Sequence, residues 1–240
     1  MSYLHKMRGR STLLQWPTIF KKIEPILLIL TIFTGMVIVG PLITGEDFRI
    51  DRELLKQAEK KCVEDGPTRF MAWEGLIRQS RSLPDREKLE KANHFFNSTI
   101  MFVNDIELWG VQDYWATPFE FICKKAGDCE DFAIAKYFTL KAMGMAEEKL
   151  NISYVKALQL GIAHMVLTYY SEPGAEPLVL DNLADFISPA SKRTDLLPVF
   201  SFNGAGLWMA KQRGQGQLAG SSSRLKPWQD LLQKMSEIKL

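Results

Sequence analysis

The chain has almost no net charge for its length, with 30 basic and 28 acidic residues among 240. Residues 1–45 hold five of the basic residues and one acid, which leaves 25 basic and 27 acidic residues in the remainder. A slightly acidic globular part lacks the basic surface that nucleic-acid binding requires. The charge balance therefore excludes general nucleic-acid binding.

Long apolar runs are scarce, and one stands out at residues 26–43, which carry no charged side chain. All basic residues of the first 45 positions precede this run, so we expect a cytoplasmic N-terminus and export of everything after Gly45. Residues 1–45 are interpreted as a cytoplasmic N-terminus with a signal peptide or membrane anchor. The run is close to bilayer-spanning length, and Ile43-Thr44-Gly45 is a poor cleavage site. A buried core helix is the alternative.

Cysteine is rare, with only Cys62, Cys123 and Cys129. In an exported protein an odd number of cysteines leaves at least one thiol free. Cys62 and Cys123 are interpreted as two buried, unreactive thiols, with a disulfide between them as the alternative.

The order of the predicted elements indicates an α+β domain over residues 46–212. Apolar residues at helical spacing predict two short helices between Asp51 and Gln79, a third after Pro84 and a short one from Thr117. After Met143 the pattern becomes extended and predicts strands and hairpins up to about residue 209. Helices followed by an antiparallel sheet define the α+β class.

The last part of the chain carries two further signals. Residues 213–225 are rich in Gly, Gln and Ser and predict a flexible linker. Residues 226–240 place apolar side chains on one face of an amphipathic C-terminal helix, which we expect to dock on the domain near Trp73.

A single cysteine follows a glycine turn in the stretch Gly127-Asp128-Cys129-Glu130-Asp131. The apolar positions from Phe132 to Met143 have the spacing of an amphipathic helix, so Cys129 is predicted in its first turn. Unpaired N–H groups and the helix dipole lower the pKa of a thiol there, and the same N–H groups can stabilise an oxyanion. The stretch therefore predicts a nucleophilic thiolate.

Histidine is as rare as cysteine, with only His5, His94 and His164. A cysteine nucleophile needs a base, usually histidine, and a carboxylate or amide that orients the ring. His164 lies at the start of a predicted strand, and Asp181 lies at the end of the strand that pairs with it in a hairpin. Antiparallel pairing of the two strands would bring His164 and Asp181 close together. These residues predict a catalytic set of Cys129, His164 and Asp181. The alternative is a core cysteine, a strand-edge histidine and a turn aspartate.

Three carboxylates flank the thiol, at Asp128, Glu130 and Asp131, and their charge opposes thiolate formation. As residues of a helix start they satisfy free N–H groups, and capping is the simpler interpretation. They are also hard oxygen ligands of the kind that Ca²⁺ prefers, and a bound cation would offset their repulsion.

Four segments together resemble the bacterial transglutaminase-like cysteine proteinases. They are Asp113-Tyr-Trp-Ala-Thr-Pro-Phe-Glu-Phe, Gly127-Asp-Cys-Glu-Asp-Phe-Ala-Ile-Ala, Ala163-His-Met-Val-Leu and Leu178-Val-Leu-Asp-Asn-Leu. The likeness runs from about Trp73 to Ala210. Within the family it is similar to the periplasmic proteases that act on biofilm adhesins.

The resemblance implies a papain-like, transglutaminase-like core in which Cys129 attacks, His164 is the base and Asp181 orients it. It also implies Ca²⁺ bound beside the cysteine at Asp128, Glu130 and Asp131, which places the metal interpretation above capping.

In these relatives the substrate is the N-terminal region of a very large surface adhesin, which is cut at a paired-alanine site. An inner-membrane cyclic-di-GMP receptor sequesters the protease. The resemblance thus implies a periplasmic, calcium-dependent cysteine endopeptidase that releases an adhesin and promotes biofilm dispersal. Two alternatives stay open: amide transfer of the transglutaminase type, and a non-catalytic binding module on the same fold.

Overall fold

The computed structural model describes residues 48–209 and 216–238, so the prediction for residues 1–45 lies outside the described part of the chain. None of the helices in these two ranges has the length and apolarity needed to cross a bilayer. The helices are α1 (Arg52–Lys61), α2 (Gly66–Ser80), α3 (Asp85–Thr99), α4 (Asp105–Leu108), α5 (Pro118–Lys124), α6 (Cys129–Ala142) and α7 (Lys226–Ser236).

The strands of the described residues are β1 (Met101–Phe102), β2 (Ala126–Gly127), β3 (Leu150–Ala157), β4 (Ile162–Tyr169), β5 (Leu178–Leu180), β6 (Ser188–Pro189), β7 (Leu196–Phe202), β8 (Leu207–Met209) and β9 (Gln217–Gly220). Seven of them form one antiparallel sheet in the order β6-β5-β4-β3-β7-β8-β9. The predicted order of helices followed by an antiparallel sheet is confirmed. A separate two-stranded ladder pairs β1 with β2 in parallel.

Helix α6 is the centre of the core. Helices α2, α3 and α5 and strands β3 and β4 all pack against it, and each residue from Phe132 to Tyr137 is buried. The sequence predicts an amphipathic helix, but neighbouring elements cover polar positions as well as apolar ones, and Lys136 and Thr139 are buried. Thr139 is paired there, because Trp73 Nε1 donates to Thr139 Oγ1 at 2.8 Å.

A disulfide joins Cys62, which follows α1, to Cys123 in α5. The interpretation of these cysteines as two unreactive thiols is therefore wrong, and the pairing alternative is right. Helices α1 and α5 both pack on α2, which brings their ends together although the two cysteines are 61 positions apart in the sequence. Cys129 is left as the free cysteine of the described residues, as the odd cysteine count required.

The predicted flexible linker over residues 213–225 is wrong in the part that the structure describes. Gln217–Gly220 forms β9, which pairs with β8, and a 3₁₀ turn follows at Ser222–Arg224. An open sheet edge offers backbone partners to any extended segment, so a Gly- and Gln-rich composition does not prevent a strand there.

Helix α7 docks on the domain as predicted, but at a different place. Trp228 stacks on Phe138 at 5.8 Å between ring centroids and makes edge contacts with Tyr137 and Phe202. These rings, rather than Trp73, form its aromatic seat. Trp228 and Leu231 are almost fully buried, so the helix is part of the core.

Candidate active site

Cys129 is the first residue of α6, and Asp128 is its N-cap. The turn before it requires glycine, because a Cβ at Gly127 would overlap the Asp131 carboxylate and the Phe121 ring. The thiol donates to Glu130 Oε2 at 3.1 Å, and the backbone N–H of Met165 is hydrogen-bonded to the sulfur. The free cysteine therefore lies at a helix start, against the strand that carries His164.

His164 and Asp181 form a buried pair, with 2.8 Å between Nε2 and Oδ1. Their exposed fractions are 3% and 1%. An ionised carboxylate only accepts hydrogen bonds, so Nε2 carries the hydrogen and Nδ1 is left with the basic lone pair. The hairpin of β4 and β5 brings the two residues together, in the arrangement that the sequence predicts.

Three groups besides His164 hold Asp181 in place. Its Oδ1 accepts from the Leu183 N–H at 2.9 Å, its Oδ2 accepts from Arg193 at 2.7 Å, and its carbonyl oxygen accepts from Asn97 at 2.8 Å. Burial opposes ionisation, but the hydrogen bonds from His164, Leu183 and Arg193 lower the pKa of Asp181 to about 2. Asp181 is therefore an anion at neutral pH.

Arg193 is a site residue that the sequence analysis missed. It bridges two carboxylates, because its guanidinium also makes a fork with Asp195 at 2.8 and 3.0 Å. Arg193 follows a 3₁₀ turn in an irregular segment, and no local pattern marks it as the partner of Asp181.

A cluster of carboxylates surrounds the start of α6. Ligand atoms of Asp105, Asp128 and Asp131 lie within 4.8 Å of one another, as do those of Asp105, Asp113 and Glu130. The structure thus brings together all three predicted acids and adds Asp105 and Asp113. Asp105 and Asp113 lie in the aromatic segment of residues 102–117, outside the stretch around Cys129 that predicted the site.

The cluster fits a hard divalent cation. Oδ1 of Asp105 and Oδ1 of Asp128 are buried and have no hydrogen-bond partner among the described residues. Burial and the adjacent Glu130 raise the pKa of Asp128 to about 9, and burial raises the pKa of Asp131 well above its usual range. So many carboxylates ionise together only beside a cation. A donor set made of carboxylate oxygens is the kind that Ca²⁺ binds.

The same acids also act on the thiol. Burial, the Glu130 carboxylate and Asp128 raise the pKa of Cys129 above its ordinary value. Helix capping is present as well, since Asp131 accepts from the Asp128 N–H at 3.4 Å. Capping and metal binding are therefore compatible, because Asp131 Oδ2 caps the helix while the unpaired oxygens of Asp105 and Asp128 remain open.

A free cysteine that starts a helix packed against the strand of a buried His–Asp pair, in a fold of helices and an antiparallel sheet, agrees with a papain-like cysteine proteinase. Residues 74–209 match the family model of the bacterial transglutaminase-like cysteine proteinases, and the chain belongs to this family. The predicted family and fold class are confirmed.

Among solved structures, the chain is similar to LapG of Legionella pneumophila. The identity is 43% and the TM-score 0.68, over 82% of this chain and 99% of that chain. A calcium-bound LapG structure is 44% identical with a TM-score of 0.65, over 76% of this chain and 97% of that one. An EGTA-treated LapG structure is 42% identical with a TM-score of 0.67, over 82% and 100% of the two chains. Comparison with curated proteins finds no significant match.

Proposed function

We propose that the protein is a calcium-dependent cysteine endopeptidase in which Cys129 is the nucleophile, His164 the general base and Asp181 the residue that orients the imidazole. The observation that carries the proposal is the buried Nε2–Oδ1 hydrogen bond of 2.8 Å on the strand that faces a free thiol at the start of α6. A histidine oriented by a carboxylate is the base that a cysteine nucleophile needs.

The reaction proceeds in two halves. His164 Nδ1 takes the thiol proton, and the sulfur attacks the scissile carbonyl carbon. Backbone N–H groups at the start of α6, including that of Cys129, stabilise the oxyanion. The imidazolium then protonates the leaving amine, which departs and leaves a thioester. Water attacks the thioester as His164 takes its proton, and the carboxylic acid and the free thiol are released.

Asp128, Glu130 and Asp131, together with Asp105 and Asp113, would hold the Ca²⁺ ion. When bound, the ion neutralises carboxylates that otherwise oppose the thiolate. Glu130 matters most in this respect, because its carboxylate accepts the hydrogen bond of the Cys129 thiol. The calcium-bound structure of the similar LapG protein of Legionella pneumophila supports the choice of Ca²⁺ as the cation.

The proposed substrate is the N-terminal region of a large surface adhesin, and the proposed inhibitor is an inner-membrane cyclic-di-GMP receptor. Cleavage would release the adhesin and promote biofilm dispersal. This part of the proposal rests on the family resemblance. A periplasmic location is supported by the basic N-terminus before an apolar run and by the Cys62–Cys123 disulfide, since disulfides persist in oxidising compartments.

The test compares the wild type with Cys129→Ala on a fragment of a genome-neighbouring giant adhesin. The wild type should cut the fragment with Ca²⁺ and lose activity in chelator, and Cys129→Ala should be inactive with an unchanged melting temperature. Cleavage by Cys129→Ala would refute the nucleophile assignment. A labelled primary amine in the same reaction separates hydrolysis from amide transfer, because only amide transfer incorporates the label.

A further inference from the structure

The C-terminal helix α7 reaches the aromatic segment beside the acidic cluster through one side chain. Lys234 Nζ donates to the carbonyl oxygen of Trp115 at 2.7 Å. The same ammonium lies 3.9 Å from the centre of the Tyr114 ring and 3.5 Å from Glu120 Oε2. Three kinds of contact therefore hold it against this segment: a hydrogen bond, a cation–π contact and an ion pair.

The peptide group between Trp115 and Ala116 connects Lys234 to the acidic cluster. Its carbonyl oxygen accepts from Lys234, and its N–H, on Ala116, donates to Asp131 Oδ1 at 2.8 Å. A charged donor on the carbonyl side of a peptide polarises the N–H on the other side, and hydrogen bonds in such chains strengthen one another. Asp131 is fully buried, so this N–H is a substantial part of what orients its carboxylate.

The position of the Lys234 ammonium is set by the core. Trp228 and Leu231 of α7 are almost fully buried, with Trp228 stacked on Phe138 of α6. Tyr114 is held on its other side, because its hydroxyl donates to Glu120 Oε1 at 2.6 Å and its N–H donates to Asp105. The segment from Tyr114 to Ala116 therefore touches two members of the acidic cluster and is held in place by α7.

We infer that Lys234 is a positioning residue for the acidic cluster: through the 115–116 peptide it fixes the Asp131 carboxylate, and so couples the docking of α7 to cation binding. The inference rests on the proposed function, in which Ca²⁺ occupies the cluster. Coupling free energies are reciprocal. If the docked α7 strengthens Ca²⁺ binding, bound Ca²⁺ stabilises the docking of α7 by the same free energy.

The first experiment measures Ca²⁺ affinity by titration calorimetry on the full chain. Lys234→Met should bind Ca²⁺ about fivefold more weakly, at the low end of typical coupling because the side chain is partly exposed. Lys234→Arg, which keeps a charged donor, should recover most of the affinity. Lys226→Met is the matched control, because Lys226 is on the same helix and pairs with the exposed Asp230. Equal affinity in the wild type and Lys234→Met would overturn the inference.

The second experiment uses the wild type alone, so it is independent of how the variants fold. Hydrogen exchange of the α7 amides should slow when Ca²⁺ is added to the metal-free protein. Unchanged exchange in α7, in a protein that binds Ca²⁺, would also overturn the coupling. A wild type that binds no Ca²⁺ would instead refute the calcium part of the proposed function.

Discussion

Replacing Asp181 by Asn is the sharpest test of the site, because it removes one charge and almost no volume. The variant keeps the shape of the side chain but presents an amide where His164 and Arg193 both donate to a carboxylate. The amide has a single acceptor oxygen, which the charged Arg193 keeps, so the amide N–H₂ faces Nε2 of His164 and holds the imidazole in the wrong tautomer. We expect kcat for peptide cleavage to fall by about three to four orders of magnitude, the loss known for such a change in another triad.

The effect on stability can be worked from the pKa of Asp181. Its pKa is about 2, against an ordinary value of 3.8, and this difference corresponds to about 2 kcal/mol for a buried group. Because the pKa is lowered on folding, this stabilisation is fully present above pH 4 and is lost as the pH falls towards 2. The variant should therefore be about 2 kcal/mol less stable than the wild type at pH 7.

Urea unfolding of both proteins at several pH values, with a peptidase assay at neutral pH, measures both effects. The difference in unfolding free energy should shrink between pH 4 and pH 2. A kcat within tenfold of the wild type would show that the charge of Asp181 is not needed for catalysis. If the stability difference between the wild type and Asp181→Asn did not change with pH, the charge of Asp181 would not be what stabilises the fold. Asp195→Asn is the matched control, since Asp195 shares Arg193 but does not touch His164.

Three further predictions concern other parts of the molecule. Alkylation of Cys129 at pH 7 should slow about tenfold or more when Ca²⁺ is chelated, because each unit by which the thiol pKa rises lowers the thiolate concentration tenfold. Addition of Ca²⁺, but not of Mg²⁺, should restore the alkylation rate. Replacing both Cys62 and Cys123 by Ala should lower the unfolding free energy by about 4 kcal/mol, given their sequence separation of 61, as measured by urea unfolding. Trp228→Ala should lower it by about 3–5 kcal/mol, since its ring is buried against Phe138, and thermal unfolding checks this.

Each of these outcomes has a result that would contradict it. An alkylation rate that does not change with chelator would mean that the acids beside Cys129 cap the helix and do not bind Ca²⁺. Double replacement of Cys62 and Cys123 without loss of stability would mean that the disulfide does not form in solution. Unchanged stability of Trp228→Ala would mean that α7 is not docked on α6.

Glu130 illustrates how the site divides its tasks. The residue follows Cys129 directly and accepts the thiol hydrogen bond at 3.1 Å, so in the proposed reaction it competes with His164 for the thiol proton. Its own pKa is raised, mainly by burial. A cation that binds the Glu130 carboxylate relieves this competition, which gives a physical reason for acids beside a catalytic thiol.

Much of the fold was predictable, because its signals are local. The helix from Cys129 and the strands at His164 and Asp181 each follow from apolar spacing and turn residues within a few positions. The strand β9 around Gln217 and the burial of α6 were not predictable in this way, because a neighbouring strand or helix decides them. A composition rich in Gly and Gln is compatible with both a linker and an edge strand.

By itself, the sequence determined where the proposed nucleophile lies, which histidine and aspartate are proposed to accompany it, and to which family the chain belongs. These features depend on the start of one helix and on one hairpin, and both are short-range. Only the tertiary structure decided the Cys62–Cys123 pair, the entry of Asp105 and Asp113 into the acidic cluster, and the bond from Lys234 to Trp115. That bond joins residues 119 positions apart, and no local pattern encodes a contact that packing alone creates.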